Sequence, residues 1–467
     1  MTDPLLRQAW SALDGESGLL DLVEVVGNGV GLLPSRLAAL PAMIASVSAA
    51  TLGAAVLDAT RQASSPESVV IDVEHVAVAA GSERYALMDG RHQADLFAPL
   101  SRFWPTADGW LRLHANYPWH RERALRLLGC ENRPDAVGDA IRSWQGQALE
   151  DALAEVDALG SAVRTRQEWQ AHPQGRAVAA QPLVDTIAGA ERGRTAAAGG
   201  RCADGLRVLD LTRVIAGPVA TRTLAAWGAD VLRLDSPHLP EIESQALDML
   251  PGKRSALLDV SGPHGRARLE ELLAAADVLV QGYRPGALAR YGLASEELSE
   301  RHPHLSVVML SAWGREGPWS GRRGFDSLVQ CSTGIADAEG SAEKPGALPA
   351  QVLDHATGYL AAAASLLALA AVQRGEPPRC IWLSLAQTAH WLMGGGLGQP
   401  EDPRAASPDD HLVTLPGAAR PVHVIAPVGQ VGDRLPVWNS TTQLGADPPS
   451  FATETERRSP TDLPAQR

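Results

Sequence analysis

One stretch constrains this chain more than any other: residues 206–235, LRVLDLTRVIAGPVATRTLAAWGADVLRLD. Residues 206–211 read as a short apolar strand, Ala216-Gly217-Pro218 as a turn that opens a helix, 219–227 as that helix, and 229–234 as a second strand. The spacing predicts one β-loop-α-β unit. Pro218 suits a first helical turn, where its missing N–H costs nothing, and the small Ala216 and Gly217 let a phosphate approach the turn's free amides. Asp235 closes the second strand, as the ribose-binding acid of a dinucleotide fold would. The loop carries one glycine where the dinucleotide fingerprint needs three, so the unit predicts a nucleotide-binding scaffold without an NAD loop.

Downstream, strands at 254–260, 278–281 and 305–311 alternate with helices at 265–275 and 295–301. That alternation predicts an α/β fold: a Rossmann-like parallel sheet with flanking helices, joined to a smaller α+β domain. Residues 312–350 read as a loop region, followed by a long alanine-rich helix from Asp354 to Arg374 and a strand-helix at 380–393. Residues 1–184 give a helical layer and the small α+β domain, with strand, turn, strand and helix over 97–129. The small and polar residues of 185–205 predict a linker. Residues 206–400 form the sheet domain, and 401–467 a closing segment with a disordered tail from 447.

The 467 residues carry a net charge of −13, with few lysines and scattered arginines, which argues against a nucleic-acid partner. The four cysteines are far apart, so neither a disulfide framework nor a metal site is expected, and a cytoplasmic setting is. No signal peptide is evident at MTDPLLRQAW, and the run 356–372 predicts a buried helix instead of a membrane span. One internal echo stands out. Residues 348–391 repeat the order of 33–80: a proline, an alanine-rich helix, a turn, a strand and a helix. Ala42 and Met43 stand near the place of Asp354, so only the second copy can react through that carboxylate.

The second half resembles the family III CoA-transferases, the group of formyl-CoA transferase, carnitine CoA-transferase and α-methylacyl-CoA racemase. The resemblance rests on six pieces in the family's order: the 206–235 unit, GKRSALLDV (252–260), ADVLVQGYRPGALARYGL (276–293), SAWGREGPW (311–319), GFDSLVQCSTG (324–334) and VLDHATGYLAAAASLLAL (352–369). The first 180 residues resemble the family's later part, with DGWLRLHANYPWHRERALRLLG similar to the small-domain opening. The family's halves are thus rearranged, which implies either a homodimer or a pseudo-dimeric monomer.

The resemblance implies an acyl-CoA:carboxylate CoA-transferase working through an aspartyl-CoA thioester at Asp354, with a coenzyme A thioester as substrate, a carboxylic acid as acceptor and no permanently bound cofactor. An aspartate at a helix start is expected to be kept ionised by free amides and the helix dipole, and those amides to steady the oxyanion. The resemblance further assigns CoA contacts to Ile215, Ala216, Gly282, Tyr283, Arg284, Arg290 and Arg323, and no metal. Ser236 stands where the family has a basic residue, and Lys253 or Arg254 is a candidate substitute. Phe325 stands where a racemase would place its proton-carrying histidine, which speaks against racemisation. His355 is expected to pack or face solvent on another helix face. The competing expectation is a non-catalytic CoA-binding or partner subunit.

Overall fold

The computed structural model describes residues 3–92, 97–189, 202–341, 343–398, 402–417 and 420–452. Its main sheet holds seven strands: β1 (Asp185–Ala188), β2 (Arg207–Leu211), β3 (Asp230–Asp235), β4 (Lys253–Leu257), β5 (Val278–Gln281), β6 (Ser306–Ser311) and β7 (Arg379–Ser384). Their spatial order is β4-β3-β2-β5-β6-β7-β1; β7 and β1 pair antiparallel and the other neighbours parallel. The predicted β-loop-α-β unit is the centre of this sheet. From β2 the chain winds outward to β4, and after returning at β5 it winds the other way. The two loops that leave the carboxyl ends of β2 and β5 therefore flank a topological switch point, where open α/β sheets bind ligands.

Four helices place the site. The 24-residue α1 (Ala39–Gln62) belongs to the first copy of the echo, and α2 (Ala216–Ala226) follows β2. α3 (Asp326–Thr333) and the 22-residue α4 (Val352–Gln373) belong to the second half. α1 and α4 are alanine-rich, so their backbones approach closely. A Cβ at Gly53 of α1 would lie 3.4 Å from the Ala363 carbonyl oxygen and from Leu366 Cβ of α4. Both helices have the length and hydropathy of a membrane span, yet 83% and 94% of their most apolar windows are buried inside the fold. Leu52, Leu57, Leu360 and Leu366 are wholly buried in one shared core, each worth about 1.5–3 kcal/mol relative to exposure.

The echo has a structural counterpart. After α1 the strand Val69–Asp72 runs directly into the helix Val73–Ala79, as β7 runs into the helix Leu385–Gly394. The first copy's strand lies in its own three-stranded sheet, parallel to Val23–Val26 and antiparallel to Gln430–Val431. The small α+β domain packs the strands Phe103–Pro105, Trp110–Leu113 and Gly160–Ala162 against helices Pro118–Leu128, Pro134–Arg142 and Gly146–Glu155. Its separate core includes Leu111, Leu113, Ile141, Leu149 and Leu153.

Three expectations need correction. The region read as a linker opens with β1, whose backbone completes the edge of the main sheet, and Cys202 and Ala203 are buried; residues 190–201 lie outside the described ones. The region read as a loop holds α3 and the short helix Ile335–Ala338. The start of the region read as a disordered tail is anchored: Ser255 N donates to Asp447 Oδ2 at 2.8 Å and Ala452 N to Asp230 Oδ2 at 2.8 Å. Residues 453–467 of that tail lie outside the described ones.

Candidate active site

The site is assembled where α4 crosses the first turn of α2. A Cβ at Gly358 would lie 2.5 Å from the Ala216 carbonyl oxygen and 2.8 Å from Val219 Cβ, so only glycine permits this approach. Asp354 lies four residues earlier, on the same face of α4. It therefore stands one turn before this crossing, on the side of α4 that faces α2. That loop is strained: Val214, a β-branched residue, adopts φ 68°, and its N–H donates to Glu241 Oε2 at 3.3 Å. Beside it, Gly282 N donates to the Leu211 carbonyl at 3.2 Å, so the β2 and β5 loops leave the sheet side by side.

Asp354 is 6% exposed and lies in the first turn of α4. Its amide is already taken: Asp354 N donates to Asp326 Oδ2 at 3.0 Å, and the Leu353 amide also bonds the Asp326 carboxylate. Burial raises the Asp354 carboxyl well above the ordinary aspartate range, and the nearby Asp326 and Glu83 carboxylates push it further. Asp326 itself is pushed up to about 6, chiefly by burial. The expectation that helix amides hold Asp354 ionised is thus reversed, because Asp326 caps the helix in its place and adds a like charge. Glu83 comes from the first half of the chain. Its Oε2 lies 2.9 Å from His355 Nε2, with both side chains buried, and it is held below the ordinary range by His355 against the opposing effect of burial. His355 is therefore a packed residue inside the fold, paired with an acid 272 positions away.

The residues assigned to CoA fall into two groups and an outlier. Ile215 and Ala216 are both buried, Ala216 lies against Gly358 of α4, and Gly282 adjoins Leu211 and Thr212 at the start of the same loop. Tyr283, half-buried, packs on the core beneath the sheet, and burial raises its hydroxyl. Arg284 and Arg323 meet at a cavity of about 90 Å³ between the sheet domain and the small domain, lined also by Asp157, Trp313 and Trp319. There Arg284 Nη1 donates to the Gly321 carbonyl at 2.9 Å and Arg323 Nε to Asp157 Oδ1 at 3.2 Å. Arg290 is the outlier: exposed, it rests over the neighbouring Tyr291 ring at 4.7 Å and does not line that cavity.

Two charged residues of the β-α-β region, Lys253 and Asp235, are engaged inside the fold. Lys253 is buried and does not stand in for the missing basic residue. Its ammonium donates to Asp210 Oδ2 at 3.0 Å, Thr221 Oγ1 at 2.7 Å and the Pro218 carbonyl at 3.0 Å, and burial lowers it to about 8. Asp235 is bound by Arg233 Nε at 2.8 Å and is 4% exposed, so it is spent inside the sheet and not offered to a ribose.

Sequence reasoning missed several site residues. Asp326 lies in GFDSLVQCSTG, where the sequence assigns it no role, and Glu83 has no signal at all. Phe325 stacks on His114 with ring centroids 4.0 Å apart, near Tyr117 and His120, so the small domain supplies an aromatic wall beside the helix that caps α4. Burial lowers His114 and His120 to about 3, which leaves both neutral at pH 7. The signal available in sequence was the cluster of aromatic and histidine residues in HANYPWH.

Fold and site together define an α/β protein with a seven-stranded, mostly parallel sheet and a buried acid in the first turn of α4. Residues 203–413 match CoA-transferase family III. A probable fatty acyl-CoA transferase, Rv3272 of Mycobacterium tuberculosis, is 31% identical over 232 residues, covering 46% of this chain and 58% of that protein. A formyl-CoA:oxalate CoA-transferase of Rhodopseudomonas palustris is 35% identical over 168 residues, 33% of this chain and 39% of the relative. A crystal structure of Rv3272 overlaps 41% of this chain and 55% of its own, at 31% identity and a TM-score of 0.39. The chain thus spans less than two thirds of the length of the curated relatives it matches.

Proposed function

We propose that this chain is an acyl-CoA:carboxylate CoA-transferase in which Asp354 carries the CoA between donor and acceptor. The observation that carries the reading is the place of Asp354, buried in the first turn of α4 one turn before the Gly358–Ala216 crossing and crowded by Asp326 and Glu83. An ionised Asp354 is costly there, and turning it into a neutral acyl derivative removes the charge that burial and its neighbours penalise. The same electrostatics leave less of the attacking carboxylate at neutral pH, so turnover should rise with pH as Asp354 ionises.

The steps follow from the chemistry of a carboxylate. One Asp354 oxygen attacks the thioester carbonyl, the C–S bond breaks, CoA leaves as thiolate and a mixed anhydride forms. The thiolate attacks the aspartyl carbonyl of that anhydride, which releases the donor carboxylate and leaves Asp354 as its CoA thioester. The acceptor carboxylate then attacks the aspartyl thioester, expelling the thiolate and forming a second anhydride. The thiolate attacks the acceptor's carbonyl in that anhydride, giving the new acyl-CoA and regenerating the Asp354 carboxylate. Ile215, Ala216, Gly282, Tyr283, Arg284, Arg290 and Arg323 would meet the CoA, with guanidinium groups suited to its phosphates. This reading carries a cytoplasmic setting and a pseudo-dimeric monomer in which the first half supplies Glu83 and the small domain.

Incubation with a panel of acyl-CoAs, followed by hydroxylamine or borohydride trapping and peptide mass spectrometry, tests it. The expected result is a modified peptide containing Asp354, absent in Asp354→Ala, with turnover lost in that variant. An unmodified Asp354 under every acyl-CoA, or turnover surviving the alanine, would leave the chain a CoA-binding partner protein.

A further inference from the structure

A second cavity, of about 340 Å³, lies against the start of α4, lined by Arg84, Phe97, Phe103, Arg112, Ser327 and Gln351 among others. It adjoins the Asp354 site on two sides. Gln351 is the residue before α4, and Ser327 follows Asp326, the acid that bonds the Asp354 amide. Arg112 reaches it from the strand Trp110–Leu113. The alternation of that strand turns Leu111 and Leu113 into the small-domain core and Arg112 the other way, toward α3.

The Arg112 side chain stands unusually for a guanidinium. It is 9% exposed, its centre lies 4.9 Å from the Phe97 ring and 5.0 Å from the Phe103 ring, and its Nε has no hydrogen-bond partner. No carboxylate among the described residues forms an ion pair with it, whereas the buried Arg164, Arg222 and Arg233 each hold one. Ser327 Oγ, at the same cavity, is likewise buried without a partner. Asp326 of α3 acts on this guanidinium through space but forms no hydrogen bond or ion pair with it, so the buried Nε is left to be completed by something else. Two aromatic faces cover the guanidinium plane and leave its edge, which fits the planar, bidentate geometry of a carboxylate.

We propose that this cavity holds the distal carboxylate of a dicarboxylic acid, paired with Arg112 and assisted by Ser327 and Arg84, while the other carboxyl group faces Asp354. The inference rests on the transferase reading for the second carboxyl group's role, and on the cavity alone for the first. It selects diacids and their monothioesters over simple fatty acids as substrates.

Titration calorimetry on the full Asp354→Ala chain, with succinyl-CoA and butyryl-CoA as probes, tests it, because the CoA fixes one end of each thioester and only the distal group differs. Succinyl-CoA should bind at least about tenfold more tightly, through the added bidentate pair. Arg112→Gln in that background should weaken succinyl-CoA by at least about tenfold and leave butyryl-CoA unchanged. Arg112→Met, which keeps the volume and removes the guanidinium, should lose the preference as well. Equal binding of the two thioesters, or a preference unaltered in Arg112→Met, would overturn the proposal. A distal-carboxylate preference without any Asp354 adduct in the wild type would sink the transferase reading alone, and an adduct without the preference would sink this one alone.

Discussion

Asp354 and Asp326 face one another across the start of α4, with Glu83 close to the first, and the three differ in what holds them. Glu83 has His355, Asp326 has the Leu353 and Asp354 amides and Gln330, while among the described residues no side chain hydrogen-bonds the Asp354 carboxylate. The group left to bear the repulsion is the one assigned the chemistry. Its raised carboxyl has a consequence for stability. A carboxyl whose folded pKa exceeds its unfolded value contributes stability below the unfolded value and loses it as pH rises through the folded one. Asp354→Asn mimics the protonated form at every pH. The variant should therefore match the wild type near pH 4 and exceed it at pH 8 by on the order of 1–2 kcal/mol. Thermal melts at the two pH values check this, and an Asn variant that melts lower at pH 8 would contradict the assigned repulsion.

At the scale of elements, the position of that carboxylate depends on how closely α4 crosses α2. Gly358→Val would drive its Cβ into the Ala216 carbonyl and the Val219 side chain and lift α4 from the switch point. The expected cost is about 1–3 kcal/mol, and acyl-CoA turnover should fall by more than the melting temperature suggests, because both the acid and the Ile215–Ala216 loop shift. Denaturant melts beside steady-state kinetics would show it; Gly53→Ala, whose Cβ meets α4 at ordinary contact, serves as the tolerated control. The β-α-β unit was legible in sequence because its apolar runs, turn and helix are local. α3 was not: DSLVQCST is half polar yet buried throughout, since it lies between the sheet domain and the small domain, and burial on all sides leaves no periodicity to read. β1 escaped for the opposite reason, being a polar four-residue edge strand held by the backbone of β7. Glu83 and Arg112 became visible only when folding brought distant segments to the head of α4. No spacing in a chain reports a pairing 272 positions apart.

At the scale of the whole molecule, the first and second halves share one core. α1 from the first half and α4 from the second pack along each other within a single core, and the first half also supplies the buried Glu83. Part of the carboxylate's surroundings therefore comes from the first half. Leu57 in α1 is wholly buried and far in sequence from the second half. Truncating it to alanine should cost about 2–5 kcal/mol through lost burial and the cavity left behind. If the halves open as a unit, amide protection in α4 must fall by the same free energy as in α1, although α4 is unaltered. Native-state hydrogen exchange on Leu57→Ala measures both helices at once. Loss of protection confined to α1 would mean that α4 holds its fold without the first half, and the contribution of that half to the site would then reduce to Glu83 and the small domain docking on a preformed sheet.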